Sequence, residues 1–197
     1  MLPDKVEGET LKESEFVAEA MVAAREILSS PLSIERGASL LYEVAVDHRL
    51  ELTVDPKAPR RGRSAFETDL CVFEEVAEGV RIPRVVLEFK PGITTHDVIT
   101  YSVKARRHKQ VYPYLRYGLV IGNRSDIPGR VFKHNEALDF VVAAAAFANQ
   151  RLHEIMASVL REEIEASRTL ERITVGECEA YLFRTSVDVR EGGGKLR

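Results

Sequence analysis

The stretch Arg84-Val85-Val86-Leu87-Glu88-Phe89-Lys90 decides how this chain is read. Side chains alternate across a strand, so Val85, Leu87 and Phe89 pack one face while Glu88 and Lys90 emerge together on the other. Upstream, Asp69 introduces a second apolar run, Leu70-Cys71-Val72-Phe73. The polar connection Glu75 to Arg81 makes Glu67 to Glu74 and Arg84 to Lys90 an antiparallel pair, and brings Asp69 to the rim where Glu88 and Lys90 stand. An acid followed by acid-x-lysine on the next strand is the arrangement that metal-dependent phosphodiester hydrolysis needs.

Outward from this pair, the spacing of Phe16, Val17, Ala20, Val22, Ala23, Ile27 and Leu28 predicts a peripheral helix from Ser14 to Ser29. Pro31 ends it. Ser33 is placed to cap a second helix running to about Asp47, with Leu40, Leu41, Val44 and Ala45 as its buried stripe and Glu43 at the stripe's edge. Leu50 to Val54 reads as a short strand, and Asp55 to Arg63, with its prolines, glycine and charges, as a basic loop. After Pro91-Gly92, Thr94-x-x-Asp97 forms a capping box that opens a helix through about Val111, carrying Lys104, Arg106, Arg107, His108 and Lys109. Leu119-Val120-Ile121 follows as a strand covered on both faces, then a turn from Ser125 to Gly129. Asn135 to about Leu170 lacks Pro and Gly and predicts one long helix or two with a slight break. Ile173 to Val175 and Ala180 to Val189 suggest a final hairpin.

At 197 residues and 45% hydrophobic the chain has enough apolar mass for one domain spanning 1–197. A formal charge of -3 excludes a binder that coats nucleic acid by net charge, so any such contact must be a local basic patch. The absence of Trp and an aromatic share of 7% weigh against stacking platforms for single-stranded bases. No apolar window of roughly 18 residues and no basic-then-apolar leader is found, which points to a soluble cytoplasmic protein with no membrane contact. Cys71 and Cys178 lie in separate strand-like contexts without zinc-site spacing and read as small core residues.

The predicted order of helix, strand, strand, strand, helix, strand, with acids on the first helix and middle strands, resembles the core of the PD-(D/E)XK nuclease superfamily. The resemblance covers about residues 33–122, leaving about 135–190 as a C-terminal helical and hairpin extension. Asp69 matches the family's first acid, Glu88 and Lys90 its E-x-K, and Glu43 the helical glutamate of many members. Gln110-Val111-Tyr112-Pro113-Tyr114 looks like the Q-x-x-x-Y element of RecB-like members. Thr68 stands where the family often has proline. The resemblance implies an α/β fold with a restriction endonuclease-like core, a mixed central sheet flanked by helices, and helical additions at both ends.

Chemically, Mg2+ is held by one or two carboxylates plus waters and phosphate oxygens, so Asp69 and Glu88 suffice as direct ligands, with Glu43 acting through a water and Mn2+ able to substitute. Lys90, beside two carboxylates, stays protonated and suits orienting the attacking water and stabilising the transition state. Gln110, Tyr114, Lys104, Arg107, Arg61 and Arg63 are the candidate substrate contacts, since the two basic clusters bracket the site and Lys or Arg fixes a phosphate backbone in register. The expected activity is an endonuclease on DNA, of restriction or repair and recombination type. A homodimer would suit cutting both strands at a two-fold site, and a specificity or partner subunit could supply recognition. The alternative is a non-catalytic module that keeps the core and binds nucleic acid or protein. Each residue also has a plainer reading: Glu88 and Lys90 as a surface ion pair, Asp69 as a strand start, Glu43 as a solvated acid, and the basic runs as solvated faces.

Overall fold

The two strands around which the sequence was read form an antiparallel pair at the centre of the sheet. The computed structural model describes residues 17, 20–22, 24–25, 28–147, 149–185 and 187. β1 (Leu32–Arg36), β2 (Ser39–Leu41), β3 (Arg60–Arg61) and β4 (Ser64–Glu67) precede β5 (Leu70–Ala77) and β6 (Val80–Lys90). There follow α1 (Thr95–Val111), β7 (Arg116–Ile121), α2 (Gly129–His134), β8 (Phe140–Ala143) and α3 (Asn149–Thr174). The main sheet has five strands in the order β1-β5-β6-β7-β8, and β2, β4 and β3 form a separate three-stranded sheet. β5 runs antiparallel to its neighbours β1 and β6, whereas β6, β7 and β8 run parallel. The chain is thus mixed α/β.

The alternation in β6 sorts the two faces as expected. Val85, Leu87 and Phe89 join Leu70, Val72 and Val120 in a cluster closed by Met156, Leu160 and Ile164 of α3 and by Val17 and Ala24. Val86 joins Cys71, Tyr117, Leu119 and Ile121 beneath Val98 and Ala105 of α1. α1 begins at the predicted capping box, where Asp97 N–H donates to the Thr94 hydroxyl at 3.2 Å and Thr94 N–H donates to the Asp97 carboxylate at 2.7 Å. Its buried stripe is Val98, Ser102, Ala105 and His108, the spacing of one helical face. Among the described residues, no helix is long and apolar enough to cross a membrane.

Several expectations need correction. Residues 33–47 are not a helix: Leu32 and Ile34 turn inward and Ser33 and Glu35 outward as an edge strand, and Gly37 at φ +69° takes a left-handed conformation that a helix interior does not allow. Ser39–Leu41 then pairs with β4, so Glu43 stands beyond a strand end, and Val44 and Ala45 are exposed. Leu50 to Val54 makes only the single bridge from Leu52 to Val46, because Asp47 Oδ1 accepts from Arg49 N–H and Glu51 N–H and folds the chain into a turn. The predicted strand Glu67 to Glu74 is two strands of different sheets, parted where Thr68 hydrogen-bonds the Ala38 carbonyl through both N–H and hydroxyl.

Asn135 to Leu170 is not continuously helical. The Asn135 carboxamide caps Ala137 N–H and Leu138 N–H, Asp139 exchanges hydrogen bonds with the Tyr117 backbone, and Phe140-Val141-Val142-Ala143 adds the edge strand β8 beside β7. The helix starts only at Asn149 and runs through Ile173, displacing the first strand of the expected hairpin, and ends at Gly176 with φ +79°. Residues 178–185 have no regular structure, so Cys178 is half-buried outside any strand, while Cys71 is fully buried as expected. Residues 186, 188 and 189 of that hairpin lie outside the described residues. In the N-terminal helix expected over 14–29, residues 17, 20–22, 24 and 25 are helical, Leu28 and Ser29 are not, and the others lie outside the described residues.

Candidate functional site

At the carboxyl end of β6, the face toward α1 gathers Asp69, Glu88 and Lys90. The register that pairs Leu70 with Leu87 carries Asp69 alongside Glu88, and Asp69 Oδ2 accepts from Phe89 N–H at 2.8 Å. That bond fixes one carboxylate between the two residues of the acid-x-lysine element. Glu88 is 2% exposed. Both of its described hydrogen bonds converge on Oε1, from Lys104 Nζ at 2.6 Å and from the Tyr117 hydroxyl at 2.5 Å. Lys104 Nζ also donates to the Glu67 carbonyl at 2.6 Å.

Burial raises the Glu88 carboxyl above its ordinary value and Asp69 adds to the rise, while Lys104 and the Tyr117 hydroxyl oppose it. Burial, then the charge of Glu88, pushes the Tyr117 hydroxyl well up, so Tyr117 is a neutral donor. Lys90 is half-buried and hydrogen-bonds Tyr101 of α1, whose hydroxyl burial pushes up to about 12. Behind this corner, His108 is fully buried, with Nδ1 2.9 Å from the Leu41 carbonyl and Nε2 without a hydrogen-bond partner among the described residues. A carbonyl can only accept, so Nδ1 carries the proton. Burial pushes His108 down to about 4, which keeps the ring neutral between Phe66 and Tyr117.

The other candidates divide. Lys104 reaches the site, but as the ion partner of Glu88 rather than as an unengaged phosphate contact. The expected basic loop ends in β3, where Arg61 pairs with Glu67 of β4 at 2.9 Å, so this basic cluster borders the strand whose carbonyl holds Lys104. Arg63 and Arg107 are exposed. Glu43 is exposed and accepts from the Ser64 hydroxyl at 2.9 Å beside the small sheet, which does not bring it to Asp69 and Glu88. Gln110 is exposed in the last turn of α1, past Lys104. Tyr114 lies under the Arg84 guanidinium at 5.6 Å from the ring centre, about 20 Å along β6 from Lys90 at the rise of a strand. The Q-x-x-x-Y element therefore points to the opposite end of the sheet.

Sequence reasoning missed Tyr117 and Tyr101 and gave Lys104 another role. Their signal was periodicity: Tyr117, Leu119 and Ile121 share the strand face that meets α1, and Tyr101 and Lys104 flank the buried stripe of that helix. Among the described residues, no group of three or more His, Cys, Asp or Glu is arranged to hold a metal ion. The donor set at this corner is two hard-oxygen carboxylates, Asp69 just before β5 and Glu88 on β6, with the Lys104 ammonium already drawn to one of them as a cation. That chemistry fits a hard divalent cation completed by water and phosphate oxygens. Compared with known proteins, the chain matches no family model and none of the curated proteins.

Proposed function

We propose that the chain is a Mg2+-dependent endonuclease hydrolysing DNA phosphodiester bonds, with a restriction endonuclease-like core of the PD-(D/E)XK type, acting in restriction or in repair and recombination. The observation that carries the reading is the convergence of Asp69, Glu88 and Lys90 on one corner, with Asp69 bonded to the amide between the other two. The connectivity supports it too: a helix, a three-strand antiparallel meander β1-β5-β6, a covering helix and a strand parallel to the third. On this mapping the first helix of the core is the one holding Val17 and Ala24, and residues 37–68 are an insertion carrying the small sheet.

Asp69 and Glu88 would hold the cation, which supplies neutralisation of phosphate charge and activation of a water. Lys90, set beside both acids, donates hydrogen bonds to the attacking water or to a phosphoryl oxygen as charge builds there. Water adds to phosphorus, the bond to O3′ breaks, and the departing oxygen takes a proton to leave a 5′-phosphate and a 3′-hydroxyl. On this reading the exposed Arg61, Arg63 and Arg107 would contact the phosphate backbone.

One observation favours a second reading, a non-catalytic module binding nucleic acid or protein: Glu88 is buried with Oε1 already engaged by Lys104 and Tyr117. Incubation of the purified chain with supercoiled plasmid, single-stranded DNA and a four-way junction in Mg2+ or Mn2+ separates the two. Cleavage that drops by about 100-fold or more in Lys90→Ala is the expected result. DNA retarded on a gel but never cut would favour the module.

A further inference from the structure

Resting on the reading of Asp69 and Glu88 as metal ligands, we propose that Lys104 is the resident counter-cation of the site. Its ammonium holds Glu88 until a divalent cation arrives and is displaced when that cation binds, so Lys104 sets the metal affinity as a positioning residue for Glu88.

The geometry provides each part of such an exchange. Lys104 Nζ lies 2.6 Å from Glu88 Oε1, so an ammonium and a divalent cation on that carboxylate would stand within a few ångströms of each other. At such separations the repulsion of two cations outweighs thermal energy even where solvent screens it. The Lys104 side chain retains 18% of its exposure, against 3% for Arg84 in the other buried ion cluster, so its flexible stem has a way out to water. The Glu67 carbonyl offers a second acceptor that carries no formal charge. Tyr117 donates to the same Oε1 as a neutral group and keeps Glu88 oriented after the lysine leaves. A bidentate arginine fork would lock the carboxylate, whereas one ammonium and one hydroxyl leave it exchangeable.

Calorimetric titration of Mn2+ into the full chain at pH 8 and low salt tests this, with thermal melts to verify that each variant is folded. Lys104→Gln and Lys104→Met, two neutral replacements, are expected to bind Mn2+ about tenfold tighter than wild type, the size that removing a neighbouring like charge implies. Lys104→Arg should bind Mn2+ no more tightly than wild type, because it keeps the charge and adds a fork that holds the carboxylate. Glu88→Gln should lose the binding. Equal or weaker binding in both neutral variants, with Glu88→Gln still abolishing it, would overturn the role of Lys104 and leave the metal reading intact. Wild type and neutral variants that all fail to bind, or Glu88→Gln that binds like wild type, would remove the metal reading and the proposal with it.

Discussion

Two buried carboxylates on neighbouring strands of one sheet have opposite company. Glu74, on the α3 face of β5, accepts from Arg84 Nε at 2.6 Å and from Arg168 Nη2 at 2.5 Å, and Arg84 reaches on to Glu171 at 2.7 Å. Glu88, on the α1 face of β6, has one ammonium and one neutral hydroxyl. Burial raises both carboxyls, but hydrogen bonds from Arg168 and Arg84 reverse the sign at Glu74 and hold it below its ordinary value, while Glu88 stays raised. Planar, permanently charged forks saturate a carboxylate. The first cluster therefore fastens α3 to the sheet, and the second leaves a carboxylate that still favours more positive charge.

The largest expected effect breaks the fastened end. Arg84→Met leaves Glu74 and Glu171 without their shared partner inside a cluster where Arg84 is 3% exposed, and should cost about 3 to 5 kcal/mol in denaturant unfolding. Glu88→Gln should stay within about 1 kcal/mol of wild type, since it removes a carboxylate whose charged form burial disfavours and leaves Lys104 free to turn toward water. Equal losses in the two variants would end the distinction between clamp and site. The pH dependence carries the same contrast in sign. Glu74 stabilises above its unfolded value of about 4.5, and that contribution is lost as pH falls through its lower folded value. Glu88 destabilises as pH rises from about 4.5 through its raised folded value, so Glu88→Gln should gain stability relative to wild type at pH 7 compared with pH 4.

Next in size comes His108, the neutral group behind the site. Its folded value of about 4 lies below the ordinary value of 6.5, so the unfolded chain takes the proton first as pH falls. Above about 6.5 the ring is neutral in both states and its full contribution is present; between 6.5 and 4 stability falls, by about 3 kcal/mol from the size of the shift. The charge of Lys104 pushes the ring in the same direction as burial. His108→Gln, which can still donate to the Leu41 carbonyl, should flatten that limb of a pH-stability profile. An unchanged slope would place the acid sensitivity elsewhere.

The part of the site legible in the sequence is the part set by period and caps. Alternation along Val85 to Lys90 sorted the faces of β6 correctly, and the Thr94-Asp97 box located α1 to the residue. What could not be read was set by long-range partners. Residues 33–47 carry apolar positions that satisfy a helix or two short strands, and only pairing with β5 and β4, together with the left-handed Gly37, selects the strands. Phe140 to Ala143 fits a helix equally well until β7 offers an edge and Asn135 and Asp139 steer the chain onto it. Lys104 was read as a phosphate contact because a sequence shows the charge on a helix and not the carboxylate across from it.

The smallest expected effect sharpens the comparison by testing a third acid that belongs to neither cluster. Glu43 is exposed and accepts one hydrogen bond from the Ser64 hydroxyl, which a glutamine carbonyl would also accept. Glu43→Gln should therefore shift stability by less than about 0.5 kcal/mol, the ordinary range for an exposed position. Because the segment that follows β1 carries Glu43 to the small sheet and away from Asp69 and Glu88, the Mn2+ affinity and plasmid cleavage expected of the proposed function should also stay within about twofold of wild type. A tenfold loss of Mn2+ affinity would mean that the loop after β2 swings Glu43 to Asp69 and Glu88 when the cation binds, making the under-compensated corner a three-carboxylate site in use and a two-carboxylate site at rest.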